Sequence, residues 1–575
     1  MLYSKLFAKT IKTAKDLDSI SATLLTKGGF IDQTMAGAYT YLPLGTKVLA
    51  KIENIVRTEM DKVGQEVFMS ALSPFSLWET TGRLETVDVL FKAQAANSSS
   101  TLKNDGAYIL NSTHEEVITP IAKKFNTSYK DLPFALYQIQ TKFRNEARPK
   151  TGVLRTREFR MKDLYSFHAS EEDLKNYYEI VKQSYLNVYK AVGLEKHTFI
   201  ALASGGDFTK DFSHEFQVRC DAGEDTLFRV PSTGITYNKE VAPAKSPIPL
   251  VSEELKPLEK VHTPNAVTVT HVVRLLNTTP QKLVKTMIYT RQDGTHFAIA
   301  IRGDYELNDI KIEKVLNIQG IKLATEEAVM QLTGSKVGYA GIKGLEGKLE
   351  IFYDDSLADS TNMIMGACES EQHLTNINFG RDITKPSKFY DFKMAQEGDI
   401  FPETGEVYEV FKASEVGNIF PLNTKFSKAF GYTYTNANGE ENLVYMGSYG
   451  IGTTRLLGVI AEVFNDNKGL LWPVSIAPFK IHLVGLNLED KDTKAKTYAV
   501  YKNLQDKGVD VLLDDRENTT AGEKFADADL IGCPIRAVVS KKTEEGLVEM
   551  KLRKSTESTV VQIQELINIA NSLTD

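Results

Sequence analysis

Residues 141–168 read TKFRNEARPKTGVLRTREFRMKDLYSFH, and the fold turns on this stretch. Polar and apolar residues alternate through 141–143, a loop carrying Pro149 and Gly152 interrupts, and Glu158-Phe159-Arg160-Met161 resumes the extended pattern. The spacing predicts a β-hairpin. Such a hairpin gathers a guanidinium (Arg144), a carboxylate (Glu146) and an aromatic ring (Phe159) over one cavity. A nucleoside triphosphate asks for that set: Arg pairs bidentately with phosphate, the ring stacks on the base, and the carboxylate accepts from an exocyclic amine. By spacing alone, an exposed, salt-bridged hairpin is an equal alternative.

A chain of 575 residues exceeds what one core supports, so about three domains are expected. Hydrophobic content of 42% with 25% charged residues is that of a soluble globular protein. The net charge of −7 shows no global nucleic-acid footprint, although one basic face suffices for an RNA ligand. Cys220, Cys368 and Cys533 lie too far apart for a CxxC knuckle. Neither zinc nor a disulfide framework is expected, which fits a reducing cytoplasm. No apolar run approaches the roughly 18 residues of a membrane helix. The opening MLYSKLFAKTIKTAKDL has lysines but no apolar core with a cleavage site, and reads as mature protein.

Along the chain, a Pro43-Leu44-Gly45 turn leads into a helix from Thr46, with Val48, Leu49, Ile52, Ile55, Val56 and Met60 as its apolar stripe. Residues 108–116, YILNSTHEE, read as a strand entering a helix, with Ser112 or Thr113 as N-cap and Glu115 and Glu116 in the first turn. In MKDLYSFH, Lys162 and Asp163 read as a solvated turn and His168 as a structural histidine. A helix follows over 171–192. After Gly205-Gly206-Asp207, the adjacent His214 and Glu215 lie in a strand and point to opposite faces, so they form no simple dyad.

Around residue 225 the texture changes. Residues 242–264 carry Pro243, Pro247, Pro249, Pro257 and Pro264 and read as a linker. From 267 to 380 the β-rich runs TVTHVVRLL, LVKTMIYT, HFAIAIRG and KLEIFYDD alternate with helices, as an α/β domain set inside another. After about residue 408 the texture of the first 224 residues resumes with 407–413 and 415–420, and further on a glycine-rich strand, Gly447, Gly450 and Gly452, enters a helix that carries Arg455. From Trp472-Pro473, strand–helix alternation predicts a small, mostly parallel α/β domain.

Arg144-x-Glu146, the loop, and Arg157-Glu158-Phe159 resemble motif 2 of the class II aminoacyl-tRNA synthetases. MGSYGIG at 446–452, followed by Arg455, resembles their motif 3, and the helix from Thr46 resembles the dimer-forming motif 1. The whole chain is similar to the bacterial-type prolyl-tRNA synthetases. That resemblance implies an α/β (α+β) fold: an antiparallel-sheet catalytic core over 1–224 and 408–472, an inserted α/β editing domain over 225–407, and a mixed α/β anticodon-binding domain over 473–575. It further implies L-proline, ATP with Mg²⁺ near Glu415, and tRNA(Pro) as ligands, a homodimer, and no zinc and no membrane association.

By the same resemblance, Arg144 and Arg455 carry the chemistry; Thr113, Glu115, Arg144, His168, Asn418 and Ser448 hold proline; and Arg144, Glu146, Phe159, Glu415, Gly452 and Arg455 hold ATP. Lys285, Asp354 and His373 fall on the editing positions, and Asp515, Arg516 and Lys524 on the anticodon-binding ones. The sequence departs from the family at several points. Isoleucine or another non-proline residue stands in the proline position of the GYAGIK loop at 338–343, Asn418 in a histidine position, Asn423 in a glycine position and Ser448 in a cysteine position. A threonyl enzyme lacks support, since there is no cysteine–histidine zinc set and the insert lies between motifs 2 and 3. A non-catalytic tRNA-binding paralogue is disfavoured because Arg144 and Arg455 are both retained.

Overall fold

The computed structural model describes residues 1–11, 17–206, 208, 212–246 and 253–574, so Asp207, Pro247 and Pro249 lie outside the described residues. The chain divides into two compact units, one of 1–200, 205–224 and 412–575 and the other of 201–204 and 225–411.

In the first unit, helix α1 (Pro43–Met60) starts three residues earlier than its sequence pattern predicts, with Pro43 at the first helical position. The expected turn is the helix's first turn, because that position leaves its N–H unbonded and proline's fixed φ suits it. Val48, Ile52, Val56 and Met60 are fully buried and share one core with Tyr185 and Val188. The apolar stripe is therefore core of this chain. Helix α2 (Glu115–Phe125) is capped by His114 without a side-chain bond, so neither Ser112 nor Thr113 serves as N-cap.

Strands β1 (Phe134–Phe143) and β2 (Glu158–His168) form the expected hairpin, paired from Phe143 with Glu158 to Phe134 with Phe167. Helix α3 (Glu171–Ala191) follows, opened by a Ser170 cap. Strands β3 (Phe212–Arg219), β4 (Glu409–Asn423) and β5 (Tyr445–Ile451) complete an antiparallel sheet in the order β3-β4-β5-β2-β1, and helix α4 (Thr453–Val463) leaves β5. The two motif-bearing strands, far apart in sequence, are neighbours: Ser448 pairs with Tyr165 and Gly450 with Asp163.

Helix α3 covers one face of this sheet. Lys162 points into that cover and donates to Tyr185 Oη at 2.5 Å and Tyr449 O at 3.1 Å. His214 also turns to it, against Tyr178 Oη at 2.8 Å. Lys162 and Asp163 are thus buried strand residues rather than a solvated turn, because β2 runs through the core.

The C-terminal part holds a five-stranded sheet. Val511–Asp514, Ile481–Gly485 and Ile535–Val539 are parallel, while Leu547–Leu552 and Thr559–Gln562 are antiparallel. The sheet is mostly parallel as expected, and the short connection between the last two strands allows a hairpin and no crossover helix, so residues 560–562, expected in the last helix, are strand and that helix runs Ile563–Ser572. Leu2 bridges the Leu513 edge of this sheet.

In the second unit, Lys322–Leu323, Val284–Thr290, His296–Arg302 and Glu350–Tyr353 form one sheet and Glu259–His262, Gln372–Ile377 and Met363–Gly366 another. The TVTHVVRLL run is not a strand. It folds as the helix Val269–Leu276 because Val269, Val272, Val273 and Leu276 recur at helical spacing and Thr268 caps it, accepting from His271 N.

A Cβ on Gly45 would stand 2.1 Å from the Phe30 carbonyl oxygen. Gly45→Ala is expected to cost about 3 kcal/mol, the upper end for overpacking, since backbone rather than a flexible side chain must move. Urea unfolding should show a lower midpoint; a wild-type midpoint would mean that α1 shifts freely.

Candidate active site

Strand alternation sends Phe159, Met161, Asp163 and Tyr165 of β2 to the sheet face away from α3. Arg144, Glu146, Phe159, Glu415, Asn418, Gly452 and Arg455 line a cavity there. The Arg144 guanidinium lies 5.1 Å from the centre of the Phe159 ring and, among the described residues, has no hydrogen-bond partner. Burial and the positive charge of Arg455 push its pKa below the ordinary guanidinium value, against Glu415, Glu146 and Glu115. Two like charges held in a shielded cavity favour an anion between them.

Arg455 is anchored by backbone. Its Nε donates to Leu154 O at 2.7 Å and its Nη1 to Glu415 O at 2.8 Å, with the Glu415 carboxylate at 3.8 Å. It stands in the first turn of α4, which Gly452 opens. A Cβ on Gly450 would meet Met161 Cε, on the cavity lining, at 2.2 Å. Asn418, expected beside proline, lies on this cavity and donates to Glu415 Oε1 at 2.6 Å. Glu146 lines the cavity with its carboxylate already engaged, because Arg155 donates to Oε2 through Nε at 2.9 Å and Nη2 at 2.7 Å. Arg155 was not anticipated, although Arg155-Thr156-Arg157 returns opposite Glu146 in any hairpin of this length.

A second group sits on the same face. Ser448 Oγ donates to Glu115 Oε1 at 2.8 Å and Thr113 Oγ1 donates to Glu115 Oε2. Arg83 stands 3.6 Å from Glu115 and 2.8 Å from Glu116. Burial raises the Glu116 pKa, opposed first by Arg83. The fold thus brings Thr113, Glu115 and Ser448 together from separate segments.

The sequence matches the family model of the class II tRNA synthetase core domain (G, H, P, S and T) over residues 99–464, and that of an anticodon binding domain over 474–573. It is 42% identical over 571 residues to a proline–tRNA ligase of Sulfurihydrogenibium sp. (strain YO3AOP1), covering 99% of both chains. It is 40% identical over 577 residues to that of Bacillus mycoides (strain KBAB4), covering 100% of both. The chain belongs to the proline–tRNA ligase family of class II synthetases. Its fold is similar to that of prolyl-tRNA synthetase from Cryptosporidium parvum, with a TM-score of 0.56 at 14% identity over 97% of this chain and 75% of that one.

Not every residue matched to the ligase family reaches a site. His168 lies on the α3 face, an odd number of residues from Met161, Asp163 and Tyr165. Its Nδ1 contacts Asp173 Oδ2 at 2.8 Å and its ring packs 5.1 Å from Tyr177. Burial lowers its pKa, against Asp173. It ties β2 to the first turn of α3 and is not a proline contact.

In the anticodon-binding region, Lys524 is 1% exposed and donates to Gly485 O at 2.6 Å and to Arg516 O. A side chain so enclosed cannot meet RNA. Arg516 is held by Asp514 and Asp527, with Tyr3 4.1 Å from its guanidinium, and Asp515 accepts from Ser4 N at 2.8 Å and Ser4 Oγ at 2.6 Å. The chain's own first residues therefore contact two of the three matched positions, Asp515 and Arg516.

In the second unit, Lys285 Nζ donates to Glu306 Oε1 at 2.8 Å, and Thr263 Oγ1 lies 2.7 Å from His373 Nδ1. Burial pushes the His373 pKa down to about 4, so it is neutral. Asp354 is fully buried, accepting from Ser356 N at 3.0 Å and Phe392 N at 2.9 Å. It caps a turn and offers no carboxylate to a substrate. Ile342 occupies the first position of the helix Ile342–Leu345, where proline is also at home, so the altered loop keeps a proline-compatible backbone.

Among the described residues no helix is long and apolar enough to cross a membrane, and no three His, Cys, Asp or Glu side chains are grouped to hold a metal ion. His168→Asn is expected to lower the thermal midpoint by a few degrees while leaving proline and ATP KM within about twofold, since the residue serves packing. A tenfold rise in proline KM would return His168 to the site.

Proposed function

We infer that this chain activates L-proline with ATP and transfers the prolyl group to the 3′-terminal ribose of tRNA(Pro). The observation that carries the reading is the placement of the Arg144–Arg455 cavity and the Thr113–Glu115–Ser448 group on one sheet face. The Glu115 carboxylate and the two hydroxyls suit a secondary ammonium, whose two N–H donors need acceptors in a buried setting. A proline carboxylate oxygen attacks the α-phosphorus, the bond to pyrophosphate breaks, and prolyl-adenylate forms. The ribose hydroxyl of the tRNA then attacks the prolyl carbonyl and AMP leaves.

No protein nucleophile is needed; positioning and charge stabilisation by Arg144 and Arg455 supply the catalysis. Phe159 offers the ring for adenine, and Glu146 serves it in partnership with Arg155. Mg²⁺ takes one or two carboxylates plus substrate phosphates, a donor set that Glu415 at the cavity wall fits. When bound, it neutralises phosphate charge.

The finer reading extends to a cytoplasmic homodimer and to an insert that hydrolyses alanine mis-esterified to tRNA(Pro). Support for the latter is Lys285, largely shielded in its strand and poised by the exposed Glu306. Its ammonium suits the terminal ribose or its phosphate, leaving water to attack the ester. Asp354 is excluded from that chemistry by its burial.

Two outcomes test these readings. Arg144→Ala should reduce proline-dependent pyrophosphate exchange at least a thousandfold in a folded protein; exchange within a few-fold of wild type sinks the assignment. Lys285→Ala should leave that exchange intact and slow deacylation of preformed Ala-tRNA(Pro) at least tenfold, since binding alone discriminates poorly against a smaller amino acid. Equal hydrolysis by both proteins would remove Lys285 from the mechanism.

A further inference from the structure

Behind the Thr113–Glu115 group lies a buried network that the reaction as described does not use. Lys142, on the site face of β1, is 1% exposed. Its ammonium stands 2.7 Å from Asp163 Oδ1 and donates to His114 Nδ1 at 2.6 Å. The other ring nitrogen of His114, Nε2, faces Ser70 O at 3.0 Å, which makes it the protonated one. Asp163 Oδ2 accepts from Gln138 Nε2 at 3.0 Å and Tyr165 Oη at 2.9 Å, and Tyr165 Oη accepts from His114 N at 3.1 Å. His114, the residue between Thr113 and Glu115, is tied into this network through Lys142 and Tyr165.

The charges are as telling as the bonds. Lys142 feels two carboxylates, Asp163 by contact and Glu115 through space. Burial alone would raise the Asp163 pKa; Lys142, aided by His114, more than offsets this and holds it below the ordinary carboxylate value. An ammonium this deep must have a carboxylate partner. Were Asp163 neutral, the nearest alternative would be Glu115, the group that the substrate's own ammonium requires.

We propose that the Lys142–Asp163 ion pair is a specificity device beside the Thr113–Glu115 turn: by satisfying itself it leaves the Glu115 carboxylate to the amino-acid substrate. This rests on the assignment of Glu115 to the proline ammonium. It explains why a cation can sit beside an ammonium-binding site without closing it. It also explains the presence of a buried ion pair, which is weak as a stabiliser and which an apolar pair of similar volume often replaces without loss.

The test is a reciprocal rescue measured by proline-dependent pyrophosphate exchange, with proline and ATP KM determined separately. Asp163→Asn and Lys142→Met should each raise proline KM about tenfold or more and leave ATP KM within about threefold. The double variant Lys142→Met/Asp163→Asn, carrying no unmatched charge, should return to within about threefold of wild-type proline KM. A merely structural role predicts that the single variants lose stability while proline and ATP KM stay at wild-type values or move together, and that result, or a proline KM not restored in the double variant, overturns the proposal. If either single variant fails to fold, the other single variant against the double gives the same comparison. Wild-type exchange that does not depend on proline would instead overturn the assignment of the substrate, which separates the two failures.

Discussion

The register of β2 against β5, with Ser448 opposite Tyr165 and Gly450 opposite Asp163, is the constraint on which the site depends. Side chains of a strand alternate between faces, so this pairing decides together which residues of four strands meet the cavity and which meet α3. A one-residue slip of β2 would send Phe159 and Asp163 into the helix-covered core and bring Lys162 and His168 to the ligand face, while Ser448 of β5 kept its place. The tyrosines of α3 oppose such a slip: Tyr178, Tyr185 and Tyr189 fill the covered face, and Gly417 admits the Tyr189 hydroxyl where a Cβ would stand 2.3 Å from it.

On the face away from α3 the sheet separates two electrostatic tasks. At one end, Arg144 and Arg455 are held close although they repel, one stacked on Phe159 and the other pinned by two carbonyl oxygens. Preorganised cations of this kind need little reorganisation when phosphate charge arrives. At the other end, carboxylates outnumber the cations they touch: Arg83 meets Glu115 and Glu116, and Lys142 meets Asp163. A zwitterionic amino acid laid between the ends finds its ammonium at the acidic end and its carboxylate directed towards the basic one.

The sequence made the hairpin, the helix after it and the cation pair legible because each follows from a local pattern or from a motif whose spacing is conserved by geometry. Tertiary partners were not legible. Nothing in MKDLYSFH says that β2 is covered on both faces, so Lys162 and Asp163 looked solvated when one is locked under Tyr185 and the other paired with Lys142. Position in a motif could not distinguish His168 from its neighbours, although strand parity could have. The contacts of Asp515 and Arg516 with Ser4 and Tyr3 were not legible because those residues lie at the far end of the sequence, nor was the enclosure of Lys524 between the Gly485 and Arg516 carbonyls. The helix Val269–Leu276 looked β-rich through its valines, and its Thr268 cap was the overlooked local sign.

The central claim is that the cation pair and the Glu115 group are two ends of one site. Calorimetric binding of a non-hydrolysable prolyl-adenylate analogue tests it most directly, because that ligand spans both ends at once. Glu115→Gln and Arg144→Ala should each weaken its binding at least tenfold, while only Arg144→Ala weakens an ATP analogue. Unchanged affinity for the adenylate analogue in either variant would contradict the account.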